Sequence, residues 1–301
     1  MVEKEIRYLE FIKSRFPYID ILKIDFFLNR EKYSDLVVLN DEIVFQFSKH
    51  DWTLAYLENE IKANALISRY SPVTLPALER IDREAVKYSK ISGEPLNRDK
   101  ILSLGIADQN HIAEQLGVFL KQLHSIPVKT AKQGGLDDSP VGMTRDYWLA
   151  EYEEIQRKVF PYADEHTKSA IALLFKPLIE DEDFLSWLPA LIHADLTPEH
   201  ILYDDAAKKI VRITGFSQSG IGDPAYDVSF IIGFLGEAFM KRVARFYPGV
   251  DSNLIDRARF YARADRLLWA KDVADMIATR DLTNFKFLLD ERDLMPVGAR
   301  W

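Results

Sequence analysis

The stretch LIHADLTPEHIL (191–202), followed by ITGFSQSGIGDPAYD (213–227), constrains this chain most. An apolar segment runs into a polar loop carrying His193, Asp195, Glu199 and His200, then returns to Ile201 and Leu202. Such a loop, leaving and re-entering a core, holds a carboxylate at the mouth of a cleft rather than on an open surface. WLPALIHADL and KKIVRITGF read as the short strands that carry the two segments.

At 301 residues and 48% apolar content the chain can fill a large domain or two lobes. A net charge of -8 without a long single-sign run argues against a nucleic-acid binder and suits a small cationic partner. The absence of cysteine excludes disulfides, thiolate metal sites and a cysteine nucleophile. MVEKEIRYLEFIKSRF alternates charge with apolar residues, unlike a signal peptide, and the expected location is the cytoplasm. VSFIIGFLGEAFM (228–240) is too short for a membrane span and reads as a buried helix.

Two lobes emerge along the chain, divided near 1–90 and 91–301. In the first, residues 4–16 read as a helix, and ILKIDFFL, SDLVVLN and EIVFQF as strands, with Asn40-Asp41 closing a hairpin. A helix over 52–67 places Leu54, Leu57 and Ile61 on one face. In the second, Ile112, Leu116, Phe119, Leu120 and Leu123 form one stripe before Pro127 ends the helix. Residues 145–180 and 251–281 are helical in character.

Phosphoryl transfer asks a protein for a carboxylate at the acceptor hydroxyl, oxygen or nitrogen ligands for magnesium, and cations over the phosphates. Asp195 fits the first role, which the motif favours over a turn in which Asp195 caps backbone amides while His193 is buried in a hydrogen bond. Taken together, VLNDEIVFQFSK, LENEI, GVFLKQLHSIP, LIHADLTPEHIL and GIGDPAYD, in this order, resemble the aminoglycoside phosphotransferase family, in particular its 2''-aminoglycoside members. The resemblance covers nearly the whole chain. It implies an α+β, bilobal protein-kinase-like fold with a small mixed β-sheet N-lobe and a larger, mainly helical C-lobe. It also implies ATP or GTP with magnesium as the cofactor of an active enzyme, Asp195 as catalytic base, Glu60 as the helix carboxylate, and Ser89, Lys90 and Ile91 as the hinge that receives a purine.

Several positions depart from the family pattern. Gln46 stands where a phosphate-gripping lysine belongs, and strand alternation points Lys49 to the other face. Asn29 and Glu31 replace glycines of the phosphate-covering loop, with Arg30 and Lys32 as partial compensation. Gly215 replaces the principal magnesium ligand and Gln218 a later acid, which leaves His200 and Glu199 as the metal candidates. Asp223 and Asp227 read as a structural turn.

For the acceptor, the resemblance points to Glu237, Asp265 and Trp269, with Gly233 and Phe234 in place of family acids, a pocket less acidic and more apolar than the family's. Asp265 and Trp269 equally suit a salt-bridged acid and a core aromatic on one helical face. The expected protein is a monomer that binds a small molecule such as an antibiotic, with a degraded nucleotide and magnesium site and weak or no transfer. An active antibiotic O-phosphotransferase and a protein-interaction scaffold are the alternatives.

Overall fold

A computed structural model describes residues 3–28, 33–90, 92–277 and 294–301. Asn29 to Lys32 and Ile91, which carry the phosphate-loop and part of the hinge expectations, lie outside the described residues.

Period-two alternation between residues 24 and 48 builds the N-terminal sheet. Strands β1 (Ile24–Phe27), β2 (Ser34–Leu39), β3 (Ile43–Ser48), β4 (Glu79–Arg80) and β5 (Ala85–Ser89) form an antiparallel sheet in the order β1-β2-β3-β5-β4. Asn40 and Asp41 both take left-handed backbone angles (φ 52° and 58°), as a tight hairpin turn requires. Alternate residues Val37, Leu39, Phe45 and Phe47 face helix α1 (Glu3–Arg15), where Tyr8 stacks on Phe47 with ring centroids 4.2 Å apart. Burying each of these large side chains contributes about 2 kcal/mol. The register therefore turns Leu36, Val38, Val44 and Gln46 to the opposite face, which roofs a cleft. Helix α2 (Leu54–Ile67) packs at the edge of that roof and brings in Glu60.

Below the cleft, β6 (Glu94–Pro95) leads to helices α3 (Arg98–Ser103), α4 (Ile106–His124), α5 (Val128–Gln133), α6 (Arg145–Lys158) and α7 (Glu165–Glu180). The stripe Ile112, Leu116, Phe119, Leu120 and Leu123 is buried as its spacing predicts. Strands β7 (Ala190–Ile192), β8 (Ile201–Asp204), β9 (Lys209–Ile213) and β10 (Gly220–Gly222) follow, with β6-β8-β9 forming one small sheet and β7-β10 another. These strands hold the two loops of the site against the helical core.

The single buried helix expected over 228–240 is instead three pieces: α8 (Pro224–Phe230), a π-helical turn over Ile231–Leu235, and α9 (Glu237–Val243). Gly236 breaks it with φ 97°, a conformation that a side chain resists. Helix α10 (Ser252–Ile277) closes the lobe against α8, and its Phe260 meets Trp148 and Phe175 edge to face while its Tyr261 lies tilted against Trp148. Among the described residues, no helix is long and apolar enough to cross a membrane.

Candidate active site

The loop carrying Asp195 is positioned from below by a buried carboxylate. Asp227 accepts backbone N–H bonds from His193 and Ala194 (both 2.8 Å), and its Oδ2 lies 3.0 Å from His124 Nε2. Burial alone would raise the Asp227 carboxyl. The His124 contact and the amides outweigh that and hold it below the usual range. These bonds clamp Ala194 at φ 65°, an unfavourable angle for a residue with a Cβ, at the point where the chain turns Asp195 into the cleft. Burial pushes His193 down to about 4, so the ring is neutral. It donates from Nε2 to the Thr214 carbonyl (2.8 Å), and Nδ1 accepts from the Asp195 amide (3.1 Å). Asp223, held by Arg257 (2.7 Å) and Tyr261 (3.1 Å), is likewise structural.

Above this loop lies a cavity of about 310 Å³ between sheet and strands. It brings together Gln46, Glu60, Lys90, Asp195, Glu199, His200 and Gly215, together with Arg212 and apolar walls from Val38, Val44 and Leu202. Lys49 follows the end of β3 and is not among the lining residues. Gln46 donates from Nε2 to Glu60 Oε2 (2.8 Å), so the strand-to-helix contact exists, but with an amide in place of a cation. In the segment expected as the hinge, the Ser89 carbonyl accepts from Arg212 (2.7 Å) and the Lys90 amide donates to the Glu42 carbonyl (2.6 Å), while the Lys90 ammonium pairs with Asp41 (3.1 Å). The apolar walls and the polar hinge edge fit a purine nucleotide.

Magnesium fits poorly. His200 donates from Nδ1 to the Asp195 carbonyl (2.7 Å), and its ring lies over Gly215. A Cβ built at Gly215 would meet ring atoms Cγ, Cδ2 and Cε1 at 2.5 Å, so the imidazole occupies the space an aspartate there would use. Glu199 and His200 are the metal candidates that remain, and the described residues contain no group of three or more acids and histidines arranged for an ion. An ion that prefers carboxylate oxygens in octahedral geometry is ill served by this set.

Asp265, on α10, lies close enough to Asp195 to feel its charge. Loss of hydration pushes the Asp265 carboxyl up to about 7; Tyr226 opposes the rise and the charge of Asp195 adds to it. Trp269, one turn further on, is exposed. Tyr147 is pushed up to about 12, by burial first and then by Glu151, Asp265 and Asp272, so these acids gather around one hydroxyl. Glu151 is paired with Lys271, whose ammonium also lies 3.8 Å from Asp272, so part of this acidity is already balanced.

Glu237 is a correction. It is buried and held by Arg259 (Nη2 to Oε1 2.6 Å, Nε to Oε2 3.1 Å), and it also accepts from the Met295 amide (3.2 Å). That carboxylate is already neutralised inside the core and does not serve an acceptor site.

Comparison with known proteins agrees with this fold. The GDP and kanamycin complex of an aminoglycoside 2''-phosphotransferase of type IIIa superposes with a TM-score of 0.83 at 25% identity, covering 95% of this chain and 98% of that one. The streptomycin-ATP ternary complex of a type IIa enzyme gives 0.70 at 16% identity, covering 94% and 96%. Viomycin phosphotransferase of Streptomyces vinaceus is 24% identical over 172 residues, 56% of this chain, so the match spans little more than half of that relative's length. A sequence model of the phosphotransferase enzyme family (APH) matches residues 29–273, and with the kinase-like fold and the Asp195 loop in place, the chain belongs to that family.

Proposed function

We propose that this protein binds a purine nucleoside triphosphate in the interlobe cleft and a hydroxylated, cationic small molecule of the antibiotic type against Asp195 and Asp265, and that it transfers phosphate between them slowly. The bound nucleotide supplies the phosphoryl group. Asp195, on a loop clamped by Asp227, is placed to accept the proton of the attacking hydroxyl. Asp195 and Asp265, the acids acting on Tyr226, attract a cation. This reading draws support from relatives whose complexes hold GDP with kanamycin or ATP with streptomycin.

The observation that carries the low turnover is the imidazole over Gly215. Without a carboxylate at that position, and with Gln46 for a cation, little charge faces the leaving phosphates, and electrostatic stabilisation of that kind supplies most of the rate enhancement in phosphoryl transfer. The test is transfer from γ-labelled ATP and GTP to kanamycin, streptomycin and viomycin. Slow product formation that disappears in Asp195→Asn supports the proposal. Turnover near 10 s⁻¹, the usual order for enzymes, contradicts the slow-transfer part. Nucleotide binding without any product leaves a small-molecule binding protein.

A further inference from the structure

Tyr33, Trp52 and Tyr56 stand together at the mouth of the cleft, on the N-terminal lobe. Tyr33, just before β2, stacks on Tyr56 of α2 with ring centroids 3.8 Å apart and planes 11° from parallel. Trp52 meets both rings edge to face at 6.2 Å, and His50 lies alongside it at 6.0 Å. Tyr33 and Tyr56 line the cleft with Asp195. Burial raises the Tyr33 phenol, a hydrogen bond with Tyr56 opposes the rise, and the charge of Asp195 adds to it, so the rings lie within reach of that carboxylate. The Tyr33 hydroxyl also donates to the Gln218 side chain (3.3 Å), which ties the group to the C-terminal lobe three residues beyond Gly215. A core role does not account for the cluster, because Trp52 is 60% exposed where Trp148 is fully buried. Single exposed apolar side chains are ordinary, but these rings form one surface continuous with the cleft.

The balance of charge across the cleft says what would cover that surface. Glu237 is neutralised by Arg259 and Glu151 is paired with Lys271, while loss of hydration pushes Asp265 up to about 7. Little fixed negative charge is left to hold several ammonium groups. Instead, Asp265 bonds Tyr226, Phe230 packs edge to face on Tyr226, and Phe230 in turn stacks 10° from parallel with Phe234, which is 45% exposed. Aromatic faces thus flank the acidic pair from both lobes. Such faces hold apolar surface and a single cation well, and offer few acceptors to a polyamine. We propose that Tyr33, Trp52 and Tyr56 form an acceptor subsite on the N-terminal lobe, which takes the apolar face of a hydroxylated monocation while its hydroxyl reaches Asp195.

This inference rests on the phosphotransferase reading of the cleft, and the experiment separates the two. Erythromycin, an apolar macrocycle with hydroxyls and one amine, and kanamycin, a polyamine without an extended apolar face, are titrated by calorimetry into the full chain and into Trp52→Ala and Trp52→Phe. GTP serves as the reference ligand, and each variant is first checked by thermal melting. Erythromycin is expected to bind the unsubstituted protein more tightly than kanamycin. Trp52→Ala should weaken erythromycin about tenfold and kanamycin less than about twofold, whereas Trp52→Phe, which keeps a ring, should stay within about threefold for both. Trp52 is not among the residues lining the nucleotide cavity, so GTP should bind all three proteins alike. Undiminished erythromycin binding in Trp52→Ala, equal losses for erythromycin and GTP, or kanamycin binding more tightly than erythromycin each overturns the subsite while leaving a phosphotransferase cleft. Failure of erythromycin, kanamycin, streptomycin and viomycin alike to bind overturns both.

Discussion

The His200 imidazole and the Cα of Gly215 occupy adjoining space so closely that a Cβ on Gly215 would come within 2.5 Å of three ring atoms. The imidazole and the missing side chain at 215 are therefore one steric unit. Gly215→Asp alone is expected to destabilise the protein by about 2 kcal/mol through overpacking, with no magnesium effect on nucleotide binding. The φ of 80° at position 215 adds strain that aspartate bears better than most side chains, so the ring is the larger obstacle. Adding His200→Asn should recover the melting temperature and make nucleotide binding magnesium-dependent. Melting curves and titrations of the single and double variants check this, and a stable, magnesium-responsive single variant would refute the steric coupling.

Asp265 makes stability pH-dependent in a stated direction. Its carboxyl sits at about 7 in the folded protein, against about 3.9 in an unfolded chain. The folded state thus holds this proton more tightly, and the group's contribution to stability falls as pH rises from about 4 to about 7 and is level above. Asp265→Asn should therefore melt higher than the unsubstituted protein at pH 8, with the difference vanishing near pH 4. Kanamycin, if bound as a cation against this carboxylate, should bind more tightly as pH rises through 7, and the variant should flatten that profile. A difference in melting temperature that is constant with pH would show that Asp265 does not titrate as described.

Gln46 donates to Glu60 at 2.8 Å where a cation would serve both the carboxylate and the phosphates. Gln46→Lys is expected to tighten GTP binding by roughly fivefold, about the difference between a neutral and a charged hydrogen bond. Guanosine, which lacks phosphates, should bind the two proteins equally. Equal gains for both ligands would mean that the lysine reshaped the cleft rather than supplied charge.

Asp227 joins His124 to the amides of the catalytic loop inside the core. Asp227→Ala, which leaves those donors unmet, should cost on the order of 3 kcal/mol in denaturant unfolding. Arg257 and Tyr261 hold Asp223 on the neighbouring turn, so the loss should not spread to α10. A loss below about 1 kcal/mol would show that water replaces the carboxylate there.

Much of this was legible in the sequence, for physical reasons. Alternation in β2 and β3 set which residues roof the cleft, and the Ile112 to Leu123 stripe set how α4 packs. The polar loop between apolar strands placed Asp195. Glu237 misled because an acid in an apolar segment looks the same whether it faces a cleft or an arginine 22 residues later. Arg212 was invisible because a charged residue in a short strand ordinarily points to water. The overlap of His200 with Gly215 could not be read from two motifs 15 residues apart; it requires the backbone that brings them together.

Calorimetric titration of the unsubstituted protein with GTP, in magnesium and then in chelator without it, bears on all of these points at once. Saturable binding is expected, with a Kd that changes by less than about twofold, because the ligand set around His200 and Glu199 holds the ion poorly. Binding strengthened tenfold or more by magnesium would mean that the site has assembled a working metal centre despite Gly215, and would contradict the slow, poorly metallated cleft described above.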